Sequence, residues 1–209
     1  MLVLVAGCAG RSGVSLDPGG AAPATPTGIF ASEDLAVDET ELPPLSAEEE
    51  DVLLEAIQGL ASPHFAVYTA SAATVIGFGE RALPILVRDA QAERTDFGVR
   101  SRAVPPVIHR ILEEVPTPRL VAYLRWRSGD ARRSAAIHLG ERKEAGAVPH
   151  LLATLPPSPA SLRLRYFEAL REITAIPDRD PEDWEGASPE LVEAWEEWWR
   201  GRNAPAAAP

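Results

Sequence analysis

Residues 130–155 read DARRSAAIHLGERKEAGAVPHLLATL, and this stretch decides the fold. In its first half Ala131, Ala135 and Leu139 recur every four residues, so they share one face of a helix. Ala136 widens that face with another small side chain, which lets a neighbouring helix come close. Asp130 stands at the start, where a carboxylate meets free N–H groups and the positive end of the helix dipole. Gly140 stands where a left-handed residue would close the helix. After ERKEAG, Val148, Leu151, Leu152 and Leu155 have the i, i+3, i+4, i+7 spacing of a second amphipathic helix. Pro149 falls in its first turn, where proline costs little, and Pro156 and Pro157 stop it. One hairpin of two short helices cannot bury its own apolar face, so it requires neighbours of the same kind.

Those neighbours are legible on both sides. Upstream, Ala72, Ala73, Ile76 and Gly77 stand 63 residues before Ala135, Ala136, Leu139 and Gly140. Their partner helix carries Leu83, Leu86, Val87 and Ala90, with Pro84 in its first turn. Between the two units, VRSRAVPPVIHRILEEV places Val104, Val107, Ile108 and Ile111 on one face. Pro105 and Pro106 predict a kink in that helix or mark its true start. Its partner, Pro118 to Trp126, carries Leu120, Tyr123 and Leu124. Downstream, Tyr166, Ala169, Leu170 and Ile173 give another copy, with Leu170 following Leu139 by 31. Four units at a period of 31 or 32 residues follow from these spacings. Before them, Ser46-Ala47-Glu48-Glu49 is a capping box opening a helix with Leu53, Leu54, Ile57 and Leu60 inward, and Ser62-Pro63 reads as the next start.

The pattern of Asp130, Ala131-Arg132, Ala135-Ala136, Leu139-Gly140 and Ala147-Val148-Pro149-His150-Leu151 resembles the HEAT-repeat family in its short, phycobilisome-lyase-like form. The resemblance covers about residues 62–176. It implies an all-α fold, a right-handed α-α superhelix or HEAT-like solenoid, and is almost silent on function, because such arrays host many partners. The expected layout is a solenoid over residues 45–201, a disordered linker over 9–44 and a disordered tail over 202–209. Ser188-Pro189 starts a last helix in which Leu191, Ala194, Trp195 and Trp198 share a face, with Trp199 beside them. That helix is expected to cap the open end of the array, with Trp199 the most exposed of the group. Its Trp195, Trp198, Trp199 spacing is similar to the ending of HEAT-like arrays in some bacterial envelope proteins.

The N-terminus adds a second resemblance. Val5-Ala6-Gly7-Cys8 resembles a bacterial lipobox, with small residues directly before a cysteine that is lipidated. Residues 1–8 are therefore expected to be a lipoprotein signal, short because only seven residues precede Cys8 and none of them is basic. An in-frame start further upstream would supply the missing part. Cys8 is the only cysteine, which excludes an internal disulfide. The charge is uneven: residues 1–62 hold eleven acids against Arg11, residues 94–171 hold fourteen basic and seven acidic side chains, and residues 172–209 are acidic again. The basic middle could take an acidic partner or be covered by the chain's own tails; a solvated surface is the favoured expectation.

Arg100, Arg132 and Arg163 recur at spacings of 32 and 31. Stacked units would place them in a ladder, and the preferred role is structural, paired with carboxylates such as Asp96 and Asp130. Arg102, Arg133 and Arg165 fall outside that role and form the candidate binding strip, with Trp199 as a candidate aromatic anchor. His64, His109, His138 and His150 have no metal-ligand spacing, and no nucleophile elbow or phosphate loop is present in the sequence. No catalytic residue, metal or cofactor is expected. The leading expectation is a non-enzymatic protein-binding scaffold, lipid-anchored through Cys8 in a bacterial envelope, or cytoplasmic if the lipobox is spurious. The family resemblance leaves a bilin-lyase-like or chaperone-like factor as the alternative. A nucleic-acid-binding solenoid is the weakest of the three.

Overall fold

The computed structural model describes residues 41–92, 99–155, 158–176 and 188–203. Every element among the described residues is helical, and no strand occurs among them. The helices are Ala47–Gly59 (α1), Phe65–Gly77 (α2), Leu83–Ala92 (α3), Val99–Glu113 (α4), Thr117–Tyr123 (α5), Gly129–Glu141 (α6), Val148–Thr154 (α7), Ala160–Thr174 (α8) and Pro189–Asn203 (α9). Short 3₁₀ turns, Gly79–Ala82 and Ala145–Ala147, lead into α3 and α7.

The longer helices α2, α4, α6 and α8 pack one on the next. The second helix of each pair fills the layer beside them, α3 on α4, α5 on α6 and α7 on α8. At the two ends α1 lies on α2, and α9 lies on α7 and α8. The apolar faces read from periodicity are the faces that are covered. Val104, Val107, Ile108 and Ile111 are buried, as are Leu120, Tyr123 and Leu124, Val148, Leu151, Leu152 and Leu155, and Tyr166, Ala169, Leu170 and Ile173. Each fully buried aliphatic side chain contributes about 1.5–3 kcal/mol, so the layers hold together by this contiguous seam. In α1 the expected capping box is present: Ser46 Oγ accepts from Glu49 N at 3.2 Å, and Glu49 Oε2 accepts from Ser46 N at 2.8 Å. The Arg81 guanidinium donates to the same carboxylate at 2.7 Å and, with Ser46, holds the Glu49 pKa down to about 2.

Local differences have physical causes. Helix α2 starts at Phe65, not at Ser62-Pro63; Ser62 Oγ instead accepts from His64 N at 3.2 Å in the turn before it. On α2 Val75 is buried but Ala73 is exposed. Phe65 on the same helix is 81% exposed. Pro105 and Pro106 lie inside α4, which runs unbroken through them. They remove the intrahelical donors to the carbonyls of Ser101 and Arg102.

Gly140 does not close α6. The helix ends through a Schellman arrangement, with Glu144 N donating to Leu139 O at 3.1 Å and Lys143 N to Gly140 O at 2.9 Å. Lys143 is the left-handed residue, at φ 52°. Gly140 is buried within the helix, where a Cβ would stand 2.9 Å from Ala169 Cα. Its missing side chain sets the close approach of α6 and α8. The N-cap of α6 is Ser128, whose Oγ accepts from Ala131 N at 3.3 Å, so Asp130 lies in the first turn and does not cap it.

Candidate functional site: an arginine-rimmed recess

The first turns of α6 and α8 open on the same side of the molecule as the last turn of α3. Between these ends and α4 lies an open recess of about 440 Å³. Val87, Ala90, Val104, Ile108 and Leu162 form its apolar part. Arg127, Arg132, Arg133, Asp130, Ser128 and Ser161 supply its polar part. The apolar residues are there because they are the core faces of α3, α4 and α8. The polar ones are there because the loop before α6 and its first turn bring Arg127 to Arg133 over that core edge.

Arg132 and Arg133 carry the electrostatics. Neither makes an ion pair among the described residues, and the Nε of each is buried with no hydrogen-bond partner there. Those Nε atoms are closed to solvent, so it is the forked ends of two guanidiniums without a carboxylate partner there that favour an oxyanion. Arg127 sits with its guanidinium carbon 5.8 Å from the centroid of the Trp126 ring. The positive ends of the α6 and α8 dipoles add to the same field. The Pro159 N-cap of α8 gives no side-chain acceptor to its free N–H groups. Among the described residues Asp130 is the one carboxylate in the lining.

The candidate residues from the sequence separate in the structure. Arg133 is joined at the recess by Arg132 and Asp130, the residues expected in the ladder, and among the described residues no ion pair links those two. Arg102 is exposed on α4 and does not line the recess. Arg165 is occupied by Glu168, Nη1 to Oε2 at 2.7 Å, on the same helix. Arg163 is partly buried on α8. Helix α4 includes Arg100, but its side chain lies outside the described residues, as do Asp96 and Cys8. Trp199 and Trp198 are both partly buried against the core, so neither stands out as the exposed one. Sequence reasoning missed Arg127, whose only signal is its place just before the Ser128 cap.

A second polar cluster sits on the seam between α4 and α6. The rings of His109 and His138 stack with centroids 4.2 Å apart. His138 Nε2 donates to the His109 carbonyl at 3.0 Å, and its Nδ1 lies 3.1 Å from Glu141 Oε2. Burial first, then the neighbouring His138, lowers the His109 pKa, while Glu141 and Glu113 pull it up and Arg110 pulls it down. Burial and Arg125 lower His150. Both groups thus resist protonation in the folded state, while the unfolded chain takes up protons near the ordinary pKa of about 6.5. The stabilisation is complete above that value and is lost as pH falls below it toward the depressed folded values. We expect the thermal midpoint to drop between pH 7.5 and 5.5, and His109→Gln to reduce the drop. A midpoint that rises over this range would contradict this arrangement.

Among the described residues no group of three or more His, Cys, Asp or Glu could hold a metal ion. No single helix among them is long and apolar enough to cross a membrane. Comparison with known proteins finds no family model, curated protein or solved structure that matches the chain.

Proposed function

We propose that this protein is a binding scaffold: a HEAT-like α-solenoid, tethered through Cys8 to a bacterial envelope membrane, that presents its basic recess to another protein. The observation that carries the reading is the recess at the ends of α3, α6 and α8, with two arginines that have no carboxylate partner there. Its groups suit binding better than proton transfer. Arginine keeps its proton at every accessible pH and presents a fork of donors to a carboxylate. The successive packing of α2, α4, α6 and α8, with shorter helices in a second layer, supports the superhelix. The lipobox-like Val5-Ala6-Gly7-Cys8 and the acidic, Pro- and Ala-rich stretch after it support the tether.

Photo-crosslinking in cells tests this. A benzophenone amino acid at Ser161, exposed on the recess, should give one discrete adduct with another envelope protein. The same group at Glu172, exposed near the far end of α8, should give none. The Ser161 adduct should vanish with Arg132→Glu plus Arg133→Glu and weaken when Cys8→Ser releases the chain from the membrane. Equal adducts at both positions, or an adduct indifferent to the arginines, would sink the proposal.

A further inference from the structure

We infer that the recess takes a short acidic–apolar peptide segment, with an aliphatic side chain on the floor and flanking carboxylates on Arg132 and Arg133. The inference rests on the scaffold reading and names the chemistry of its partner.

Charge selects the sign. Among the described residues the lining holds Arg127, Arg132 and Arg133 with Asp130 as its carboxylate, at the positive ends of two helices. The surrounding residues 94–171 carry fourteen basic and seven acidic side chains. Shape selects a short segment. A recess of about 440 Å³ lies within the range of sites that enclose a few side chains. It is not a long track, because the basic strip breaks on either side. Arg165 is already neutralised by Glu168 at 2.7 Å. Arg102 lies on α4 away from the lining.

A nucleic-acid backbone gains affinity by neutralising many phosphates in succession, and these few arginines do not offer that. The acidic stretches elsewhere in this chain, which carries −11 overall, would also repel a long polyanion more than a short peptide. The floor selects the second feature of the ligand. Ala90 and Pro159 are the accessible apolar residues beside the arginines, above the almost fully buried Val87, Val104, Ile108 and Leu162, so one aliphatic group between two acids meets a small apolar surface while its neighbours meet guanidiniums. Arginine side chains themselves add apolar stem area to such a contact.

Fluorescence anisotropy on the full-length chain tests the assignment. The probe is a fluorescein-labelled peptide, Glu-Asp-Leu-Leu-Asp-Glu. Its comparators are the Gln/Asn version, the version with both leucines changed to serine, and a single-stranded DNA oligonucleotide of equal charge. The acidic peptide should bind, and its affinity should fall as NaCl rises from about 50 to 300 mM, as screening shortens the reach of the field. Arg132→Gln plus Arg133→Gln should weaken it at least tenfold. That double variant breaks no ion pair among the described residues, so its circular dichroism and unfolding midpoint should match the parent. The serine peptide should bind at least threefold more weakly, and the Gln/Asn peptide should not bind measurably.

Equal binding of the neutral peptide, binding indifferent to the double variant, or tighter binding of the oligonucleotide would each overturn the assignment. Should no peptide bind while the arginine-dependent Ser161 adduct still forms, the ligand chemistry is wrong and the scaffold reading stands. Should the peptide bind through the arginines while no adduct forms, the recess chemistry stands and the scaffold reading falls.

Discussion

Trp195→Ala should cost about 3–5 kcal/mol locally and release α9 from the rest of the protein. Trp195 is fully buried, and its ring centroid lies 5.5 Å from that of Phe167 on α8. Leu191 is the other buried anchor, while Val192, Trp198 and Trp199 are only partly covered. Because α9 packs mainly on α7 and α8 among the described residues, its detachment need not unfold the array. Amide exchange in Pro189–Asn203 should therefore rise to the unprotected rate, while α4 and α6 keep most of their protection. Trp195→Phe should cost far less, since the buried Trp195 Nε1 has no hydrogen-bond partner among the described residues to lose. Equal losses for Ala and Phe would show that the cap does not hold by packing.

Gly140→Val should be the most damaging change within the stack itself, at about 2–3 kcal/mol. Its Cβ alone would stand 2.9 Å from Ala169 Cα and 3.3 Å from Ala169 Cβ. Those atoms belong to a helix backbone and cannot swing away, so α6 and α8 must separate along the seam. Gly77, at the matching place in the earlier unit, meets nothing within 4 Å. There Gly77→Ala should be neutral or stabilise slightly through the lower conformational entropy of the unfolded chain. Thermal unfolding of the two variants side by side checks the contrast. A Gly140→Val midpoint equal to that of the parent would mean that the two helices do not meet at this point.

These two glycines show where sequence reading stops. The i, i+3, i+4 spacing of Val104, Val107, Ile108 and Ile111 is local information, and all four are buried as expected. The Ser46 to Glu49 capping box is equally local and equally present. Gly77 and Gly140 occupy the same place in the repeat pattern, yet only one is pressed against a neighbouring backbone. That depends on which helix comes alongside, and α2 stands near the end of the row. The left-handed Lys143 was equally hidden, because sequence favours glycine there and the Schellman hydrogen bonds over-determine it.

The recess was half legible. Arg133 was singled out because it departs from the repeat pattern, while Arg132 was assigned to the ladder because it follows that pattern. Adjacent residues on a helix point about 100° apart. Both nevertheless line one cavity, because long side chains in the first turn of α6 can reach the opening from either side. Whether a guanidinium meets a carboxylate is decided by residues some thirty positions away, and no local rule supplies that. Arg165 is the opposite case: Glu168 lies three residues on along the same helix, a local pair that the spacing itself makes readable and that takes Arg165 out of the strip.

The central claim is that a partner sits in the recess and not on the exposed end of α2 or the tryptophans of α9. Hydrogen–deuterium exchange of the full chain, with and without the acidic peptide or the crosslinked partner, measures this directly. The account predicts slower exchange confined to the first turns of α6 and α8, residues 129–133 and 160–163, with α2 and α9 unchanged. Protection around Phe65, or around Trp198 and Trp199, with none at the start of α6, would contradict it.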